Sequence, residues 1–284
     1  MSDTLLLRAV AYDPKVVTIW DGFQAWFRAR GLDFDYVLYS NYERQVERHF
    51  AGDFHVAWNS PLAWLQTERV AASTGRSAEA IAMRDTDRDL TSVIVVRGDS
   101  PLQAVGDLRG MTVAVGAADS PQATLIPLLH LADAGLRPTR DFTVRRFDVL
   151  LGKHGDHVGG ERDAARALAL GEVDAACMID GSYLLFGKEG TLAPDSTRIL
   201  TRTPEYDHCN FTVLDGAPVD RVRRFRELLL SMSYDDPTVR PLLDLEGLTV
   251  WQPGRTDKYA PLARAIDRFG TIDAFVTWLG QRRM

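Results

Sequence analysis

This amino-acid sequence predicts an α/β fold, in which strands and helices alternate along the chain. Short apolar or β-branched runs are followed by segments whose apolar residues recur every three or four positions, which is typical of parallel strands with helical crossovers. Hydrophobic residues make up 45% and charged residues 25% of the 284 residues, the composition of a folded globular protein. A chain of this length forms one large or two ordinary domains, and it needs no disulfide or metal to fold.

The first third of the chain predicts three strand and helix pairs. In the first helix Val16, Ile19, Phe23 and Phe27 have the spacing of one buried face. Asn59 and Ser60 precede a proline, which is typical of the start of a helix. The predicted elements are strands Leu5–Ala11, Phe34–Tyr39 and Phe54–Trp58 and helices Pro14–Arg30, Tyr42–Phe50 and Pro61–Arg69.

The rest of the chain continues the alternation and ends in helices. The β-branched run Thr91–Arg97 is the strongest strand pattern in the sequence. Further strands are predicted at Ile81–Arg84, Met111–Val115, Thr143–Phe147, Val173–Ile179 and Phe211–Leu214. Helices are predicted at Val105–Leu108, Gln122–Ala134, Asp163–Leu170, Val219–Met232, Thr238–Leu243, Tyr259–Phe269 and Ile272–Leu279.

Charge and cysteine content exclude several functional classes. The chain has 33 Lys and Arg against 39 Asp and Glu, a net charge of -6, with no basic run, which argues against a nucleic-acid binder. Two cysteines are too few for a disulfide scaffold or a Cys-rich zinc site. No apolar stretch approaches the 18 residues of a membrane span. The N-terminal ten residues lack the features of a signal peptide, which predicts a cytoplasmic protein; a periplasmic address requires that a leader has been removed.

Several segments, in their order along the chain, resemble the phosphonate-binding proteins, which are the PhnD-like members of the type 2 periplasmic substrate-binding fold. Residues Asp53–Leu62 resemble the family segment G-x-x-D-x-A-W-x-G-P-L. Residues Asp119–Pro127 resemble its anion-binding turn, D-x-x-S-x-S-G-Y-x-x-P. The other similar segments are Val93–Ser100, Val105–Val115, Leu131–Leu136, Gly171–Ala176 and Leu248–Tyr259. Together they cover nearly the whole chain.

The resemblance implies a two-lobed fold of two mixed sheets flanked by helices, with a ligand cleft between lobes that close by hinge motion. Lobe one would contain residues 1–94 and 202–284, and lobe two residues 95–201. The lobes would be joined near Val93–Arg97 and near Ile199–Thr203. The ligand would be a small anionic or zwitterionic molecule that resembles a phosphonate, a phosphate or a carboxylate. Exported relatives deliver such ligands to an ABC transporter.

The turn Ser120–Thr124 is a candidate anion site, because a strand ends and a helix begins there. Free backbone N–H groups and the helix dipole at such a point attract an anion. Ser120, Gln122 and Thr124 are the candidate ligand contacts, while Ser120 also suits a plain N-cap. Pro121 removes one donor and Gln122 is bulkier than the hydroxyl residues of the family, so both differ from a plain phosphonate site.

The loop Gly152–Glu161 carries His154 and His157, and the resemblance implies that a histidine here contacts the ligand head group. Its imidazoles and carboxylates suit anion binding, proton transfer or a metal. The metal alternative comprises His154, Asp156, His157 and Glu161, without a strong ligand spacing. A solvated loop that caps the next helix explains the same residues.

Other candidate ligand contacts follow predicted strands, where α/β proteins place ligand groups. From the residue pattern these are Tyr12, Asn59, Ser60 and His208; the resemblance adds Tyr42, as a stacking aromatic, and Asp180, as a partner for a ligand amine. Turn and cap roles explain the Asp, Asn and Ser residues equally well. Cys209 beside His208 suggests a nucleophile, although neighbours in sequence rarely point at each other.

Two functions therefore remain open. The first is a ligand-binding protein with a small-molecule partner and no predicted cofactor. The second is a cytoplasmic enzyme on the same fold, of the lyase, decarboxylase or dehydratase type, with or without a divalent metal. Its weak catalytic candidates are His154, His157 and Cys209. A binding protein returns its ligand unchanged, whereas an enzyme produces a new species.

Overall fold

The computed structural model describes residues 4–155 and 159–270. These residues form two compact units. The first unit contains residues 4–88 and 207–259, and the second contains residues 89–206 and 260–270, without 156–158. Within the described residues, no helix is both long and apolar enough to cross a membrane.

The elements follow the predicted alternation. The strands are β1 (Leu5–Val10), β2 (Phe34–Tyr39), β3 (Val56–Asn59), β4 (Ala78–Arg84), β5 (Ser92–Arg97), β6 (Thr112–Val115), β7 (Thr143–Arg146), β8 (Ala175–Ile179), β9 (Thr197–Arg202), β10 (Asn210–Leu214) and β11 (Trp251–Pro253). The α-helices are α1 (Lys15–Arg28), α2 (Tyr42–Phe50), α3 (Pro61–Thr74), α4 (Ile126–Asp133), α5 (Glu161–Ala169), α6 (Asp180–Lys188), α7 (Val219–Leu230), α8 (Arg240–Glu246) and α9 (Ala260–Phe269).

The first unit is built on a six-stranded mixed sheet with the strand order β11-β4-β10-β3-β1-β2. Strands β1, β2 and β3 run parallel, whereas β10 returns antiparallel between β3 and β4. Asn210 therefore lies opposite Asn59, so the beginning of β10 and the end of β3 share one edge of the sheet. This edge carries most of the polar candidates of the unit.

An aromatic cluster forms the centre of the first unit. The predicted apolar face of α1 is buried in full, which confirms its helical spacing. Phe211 on β10 packs within this cluster, with ring centroids 4.5 Å from Trp58, 5.2 Å from Phe225 and 5.3 Å from Trp251. Because aromatic side chains bury much area each, this cluster supplies a large share of the unit's hydrophobic stabilisation.

The second unit is built on a five-stranded mixed sheet with the order β7-β6-β8-β5-β9. Strands β6, β7 and β8 are parallel, and β5 is antiparallel to β8 and β9. Apolar clusters cover both faces, which explains the continuous β-branched pattern of β5. The predicted fold class, two mixed sheets flanked by helices, is thus confirmed.

The boundaries of the units differ from those expected at 94/95 and 201/202. They fall at 88/89 and 206/207, because β5 and β9 lie entirely within the second sheet. The two chain segments that connect the units lie next to β5 and β9. They pair with each other at Leu90 and Tyr206, which exchange two backbone hydrogen bonds of 2.9 Å. Helix α9, which was expected in lobe one, belongs to the second unit, where Arg264 pairs with Asp133 at 2.8 Å.

Three further elements differ from the sequence-based expectation. The helix expected from Gln122 begins instead with a π-helical turn at Pro121–Leu125. Helix α6 was not predicted, because Gly181 and Gly187 lower its helix propensity. Strand β11 is too short for a recognisable periodicity. The expected helix Ile272–Leu279 lies outside the described residues.

We predict that Phe211→Ala lowers the free energy of unfolding of the first unit by about 3–5 kcal/mol, because the substitution leaves a cavity among packed rings. Urea unfolding followed by tryptophan fluorescence measures this effect, since all five described tryptophans belong to the first unit. The control Val219→Ala, at a side chain that is 75% exposed, should change stability by less than about 0.5 kcal/mol. A loss below about 1 kcal/mol for Phe211→Ala would contradict the central role of this cluster.

Candidate functional site

The candidate site of the second unit lies where parallel strands end and three helices begin. The π-helical turn Pro121–Leu125 follows β6, α6 follows β8, and α5 begins at Glu161. The hydroxyl of Ser120 accepts a hydrogen bond of 3.2 Å from the backbone N–H of Ala123, so the predicted N-cap is present. Helix starts carry partial positive charge, and three of them at one edge favour a negatively charged or oxygen-rich group.

Residues 148–155 pack closely against this turn. Asp119 Oδ2 accepts from the backbone N–H of Gly152 at 2.8 Å, and Asp148 Oδ1 accepts from that of Ala118 at 3.0 Å. Gly155 has φ +57° and lies so close that a Cβ atom there would be 2.5 Å from Ser120 Cβ. Glycine at this position thus permits the close approach that the glycine-rich sequence suggested.

Gln122 and Ser92 are joined in a buried polar group. The Gln122 side-chain amide donates to the carbonyl oxygen of Gly155 at 2.8 Å. The Ser92 hydroxyl donates to the Gln122 backbone oxygen at 2.5 Å and lies 2.7 Å from the Tyr206 hydroxyl. Burial, together with nearby acidic groups, raises the pKa of Tyr206 well above its ordinary value, so its hydroxyl stays protonated. Gln122 is therefore engaged within its own unit.

Glu161 is the first residue of α5, and its side chain lies near the start of α6. Its Oε2 accepts from the backbone N–H of Ile179 at 3.2 Å, immediately before α6. The side chains of Ser182 and Gln122 also interact with this carboxyl group and favour its charged form. Burial is the main cause that raises the pKa of Glu161 to about 8, although these interactions oppose it, so the carboxyl is largely protonated at neutral pH. Its Oε1 is buried and has no hydrogen-bond partner among the described residues.

The remaining candidates of this unit have defined places. Thr124 Oγ1 is buried and, like Glu161 Oε1, has no partner among the described residues. Asp180 Oδ2 accepts from the Thr91 hydroxyl at 2.8 Å and lies 3.7 Å from an Arg202 nitrogen. His154 is buried, and its backbone N–H donates to Asp119 at 3.3 Å. Asp156 and His157 lie outside the described residues. Ligand and metal roles for these groups stay predictions.

In the first unit, the candidates at the sheet edge belong to a chain of buried hydrogen bonds. Asn59 accepts from Gln45 at 2.8 Å and donates to Thr212 at 2.9 Å. Thr212 donates to Asn210 at 2.6 Å, which in turn donates to the Tyr259 hydroxyl at 2.8 Å. This network links β3, β10 and the turn that ends at Tyr259, so Asn59 has a structural role whether or not it contacts a ligand.

Three more first-unit candidates lie at the same end of the parallel strands. Ser60 caps α3 by accepting from the backbone N–H of Ala63 at 3.1 Å. Tyr42, at the start of α2, is 1% exposed and packs in an apolar cluster with Val10 and Val46. Tyr12 is half-buried against the aromatic core. Capping and packing account for Ser60 and Tyr42, and contact with a ligand stays a prediction for all three.

His208 and Cys209 face each other, although neighbours in an extended segment usually point apart. The distance from Cys209 Sγ to His208 Nδ1 is 3.1 Å, and His208 Nδ1 lies 3.3 Å from Asp87 Oδ1. Arg84 donates two hydrogen bonds to Asp87, at 2.5 and 2.9 Å. Burial opposes ionisation of Asp87, but Arg84 and His208 outweigh it and hold the pKa of this carboxyl well below its usual range.

Several residues of these networks carry little signal in the sequence. Ser92 and Thr212 are single polar residues at or within apolar strands, and that interruption was the available signal. Asp87 and Tyr259 lie 121 and 51 residues from His208, so only the folded topology brings them together. Glu161 was selected only as a possible metal ligand, because its burial cannot be read from a polar loop.

Solved structures with a similar fold include several binding proteins. PhnD1 from Prochlorococcus marinus, in complex with methylphosphonate, has a TM-score of 0.69 and 17% identity, over 95% of this chain and 99% of that chain. XAC2383 from Xanthomonas citri, bound to ATP, has a TM-score of 0.68 and 19% identity, over 98% of both chains. The periplasmic aliphatic sulphonate binding protein SsuA from Escherichia coli has a TM-score of 0.58 and 18% identity, over 95% and 87%.

Similarity at the level of sequence is also present. A segment of 176 residues is 32% identical to the tetrathionate sensor histidine kinase TtrS of Salmonella typhimurium. That match covers 58% of this chain and 27% of the kinase, so it spans about a quarter of the length of the curated relative. Residues 10–259 match the family described as ABC transporter, phosphonate, periplasmic substrate-binding protein. Since this match extends over most of the chain, the protein belongs to the phosphonate-binding family of periplasmic substrate-binding proteins.

Proposed function

We propose that this protein reversibly binds a small oxoanion of phosphorus or sulfur and releases it unchanged. The observation that carries the proposal is the edge of the second unit where three helices begin near the buried carboxyl of Glu161, whose Oε1 has no partner among the residues that the structure describes. Such an arrangement offers backbone N–H groups and a neutral carboxyl donor to oxygen atoms of a ligand. The family description supports the same class of ligand.

The similar proteins narrow the ligand chemistry further. Their descriptions name methylphosphonate, ATP, aliphatic sulphonates and tetrathionate. All four present oxygen atoms on phosphorus or sulfur and carry negative charge. We propose that the polar edge of the first unit, at the ends of β1 and β3, also contributes contacts to such a ligand, as the family resemblance implies.

A role in transport and the predicted cytoplasmic location cannot both be correct. The family description favours capture of a ligand for an ABC transporter, which takes place outside the cytoplasm. We propose the transport role on the strength of the family description, with the membrane subunits of an ABC transporter as the partner. Fractionation of cells that express the natural gene tests this proposal: recovery with the cytoplasmic fraction would reject the transport role while leaving oxoanion binding intact.

The proposed function predicts that purified protein binds methylphosphonate, methanesulfonate or tetrathionate with a stoichiometry of one in isothermal titration calorimetry. Mass spectrometry of the recovered ligand should show the original species alone, because the site offers binding groups and no reaction is required. A new product that appears only with active protein would instead favour an enzyme on this fold. Absence of binding to all three anions would reject the proposed ligand class.

We predict that Thr124→Ala weakens binding of the best of these anions by about 10- to 100-fold, since loss of one hydrogen bond to a charged ligand costs about 1.5–3 kcal/mol. Ser120→Ala should weaken it too and should also lower stability by about 1 kcal/mol, because Ser120 caps the helix. The control Thr191→Ala removes a hydroxyl that bonds to Glu189 on the surface of the same unit and should leave affinity unchanged. Unchanged affinity in both site variants would place the anion elsewhere.

We predict that affinity for methanesulfonate falls as pH rises through about 8, because Glu161 then loses its proton and becomes an anion that repels the ligand. Methanesulfonate suits this test because its own charge is constant there, whereas phosphonates titrate. Stability should change in the same direction: the folded pKa lies above the unfolded value, so this group's contribution is complete at low pH and is lost as pH rises through about 8.

Glu161→Gln is the matched variant for this test, because it keeps a donor without a titrating charge. Its affinity and melting temperature should vary less between pH 6 and pH 9 than those of the wild type. If wild type and variant show parallel pH profiles for affinity, Glu161 does not contact the ligand.

A further inference from the structure

A second cluster of reactive side chains lies in the first unit, at the points where the two connecting segments leave and re-enter it. Asp87 ends the short turn after β4, and His208 and Cys209 immediately precede β10. The backbone N–H of His208 donates to the carbonyl oxygen of Asp87 at 2.8 Å, so the two segments are joined there. Cys209 is also part of the apolar core of the first unit, but the oxoanion proposal gives its thiol no role.

The three side chains present one donor atom each to a common point. His208 Nδ1 is 3.1 Å from Cys209 Sγ and 3.3 Å from Asp87 Oδ1, and all three donor atoms lie within 4.8 Å of one another. The residues are 1%, 6% and 4% exposed for Asp87, His208 and Cys209. Within the described part of the chain, this is the group of His, Cys, Asp and Glu residues with the spacing of metal ligands.

The spacing is close to that of a tetrahedral metal site. Zinc bonds of about 2.3 Å to sulfur and 2.0–2.2 Å to nitrogen and oxygen imply donor separations of about 3.6 Å for S to N and 3.4 Å for N to O. The observed 3.1 and 3.3 Å therefore require Cys209 Sγ to move outward by about half an ångström.

The surroundings suit a bound cation better than the presence of Arg84 first suggests. Arg84 bonds both oxygens of Asp87 and also approaches Glu246 Oε1 at 3.3 Å, so its charge is matched by two carboxylates. Carboxylate oxygens have more than one acceptor site, and metal-ligating carboxylates are usually hydrogen-bonded from behind. Arg84 thus fixes the orientation of Asp87 while Oδ1 still faces His208.

We propose that Asp87, His208 and Cys209 form a binding site for Zn²⁺. A thiolate, an imidazole and a carboxylate together select zinc over magnesium or calcium, which prefer oxygen ligands. Three protein ligands leave the fourth tetrahedral position for water or another small ligand. The metal would join residue 87 to residues 208 and 209, and so would tie together the two chain segments that connect the units.

The test uses the purified full-length chain, freed of metal with a chelator and titrated with Zn²⁺ and then with Co²⁺. One equivalent of Zn²⁺ should be retained after gel filtration, and the Co²⁺ form should show the near-ultraviolet sulfur-to-cobalt charge-transfer band of a thiolate ligand. Zn²⁺ should raise the melting temperature, because it binds only the folded form, whereas Mg²⁺ should not.

The variant Cys209→Ser should lose the charge-transfer band and weaken Zn²⁺ binding at least tenfold. The matched control is Cys177→Ala, which removes the other buried thiol, in the core of the second unit, and should bind Zn²⁺ like the wild type. If wild type retains no stoichiometric Zn²⁺ or forms a Co²⁺ complex without the band, the proposal is overturned without recourse to any variant. Equal Zn²⁺ affinity in Cys209→Ser overturns it as well.

Discussion

The antiparallel return of the chain through β10 is the constraint on which the first unit depends. β10 enters between β3 and β4, and it must satisfy the hydrogen bonds of both neighbours while carrying Phe211 into the aromatic core. That register brings Asn210 opposite Asn59, and it places His208 beside Asp87. The polar network at this edge is therefore a consequence of where β10 inserts, because each buried polar group brought there needs a partner.

In the second unit, the main constraint is the burial of the Glu161 carboxyl group at the start of a helix. Three helices begin at one edge of its sheet, and the side chain of Glu161, in the first turn of α5, accepts a hydrogen bond from Ile179 at the start of α6. Helix dipoles favour a negative charge at this point, while complete burial disfavours it. Burial prevails, and a neutral carboxyl results. Gly160, with φ +82°, makes the arrangement possible, because a Cβ atom there would lie 2.0 Å from the carbonyl oxygen of Phe147.

Local patterns in the sequence were sufficient for most of the fold. The amphipathic spacing of α1 and the β-branched run of β5 depend on neighbouring residues, so both could be predicted without tertiary information. The position of β5 in the fold could not be predicted in this way. The same apolar run suits either a connection between lobes or the centre of a sheet, and only its pairing with β8 and β9 shows that it lies within the sheet. Polar residues posed the harder problem, since Asn59 looks like a turn residue and proves to be a buried link between strands.

The departures from the family pattern at the anion-binding turn take on a different meaning in three dimensions. Pro121 occupies the first position of the helical turn, where its missing N–H would have had no partner within the helix. Gln122 directs its amide to the carbonyl oxygen of Gly155, so it supports the turn. Both residues therefore have structural roles at this turn. Thr124 Oγ1 is buried and without a partner among the described residues, so Thr124 is the residue of this turn that we propose as a hydroxyl donor to a ligand. An oxoanion site of this composition depends less on hydroxyl donors and more on a neutral carboxyl, and for this reason its selectivity should depend on the charge of the ligand as well as on its shape.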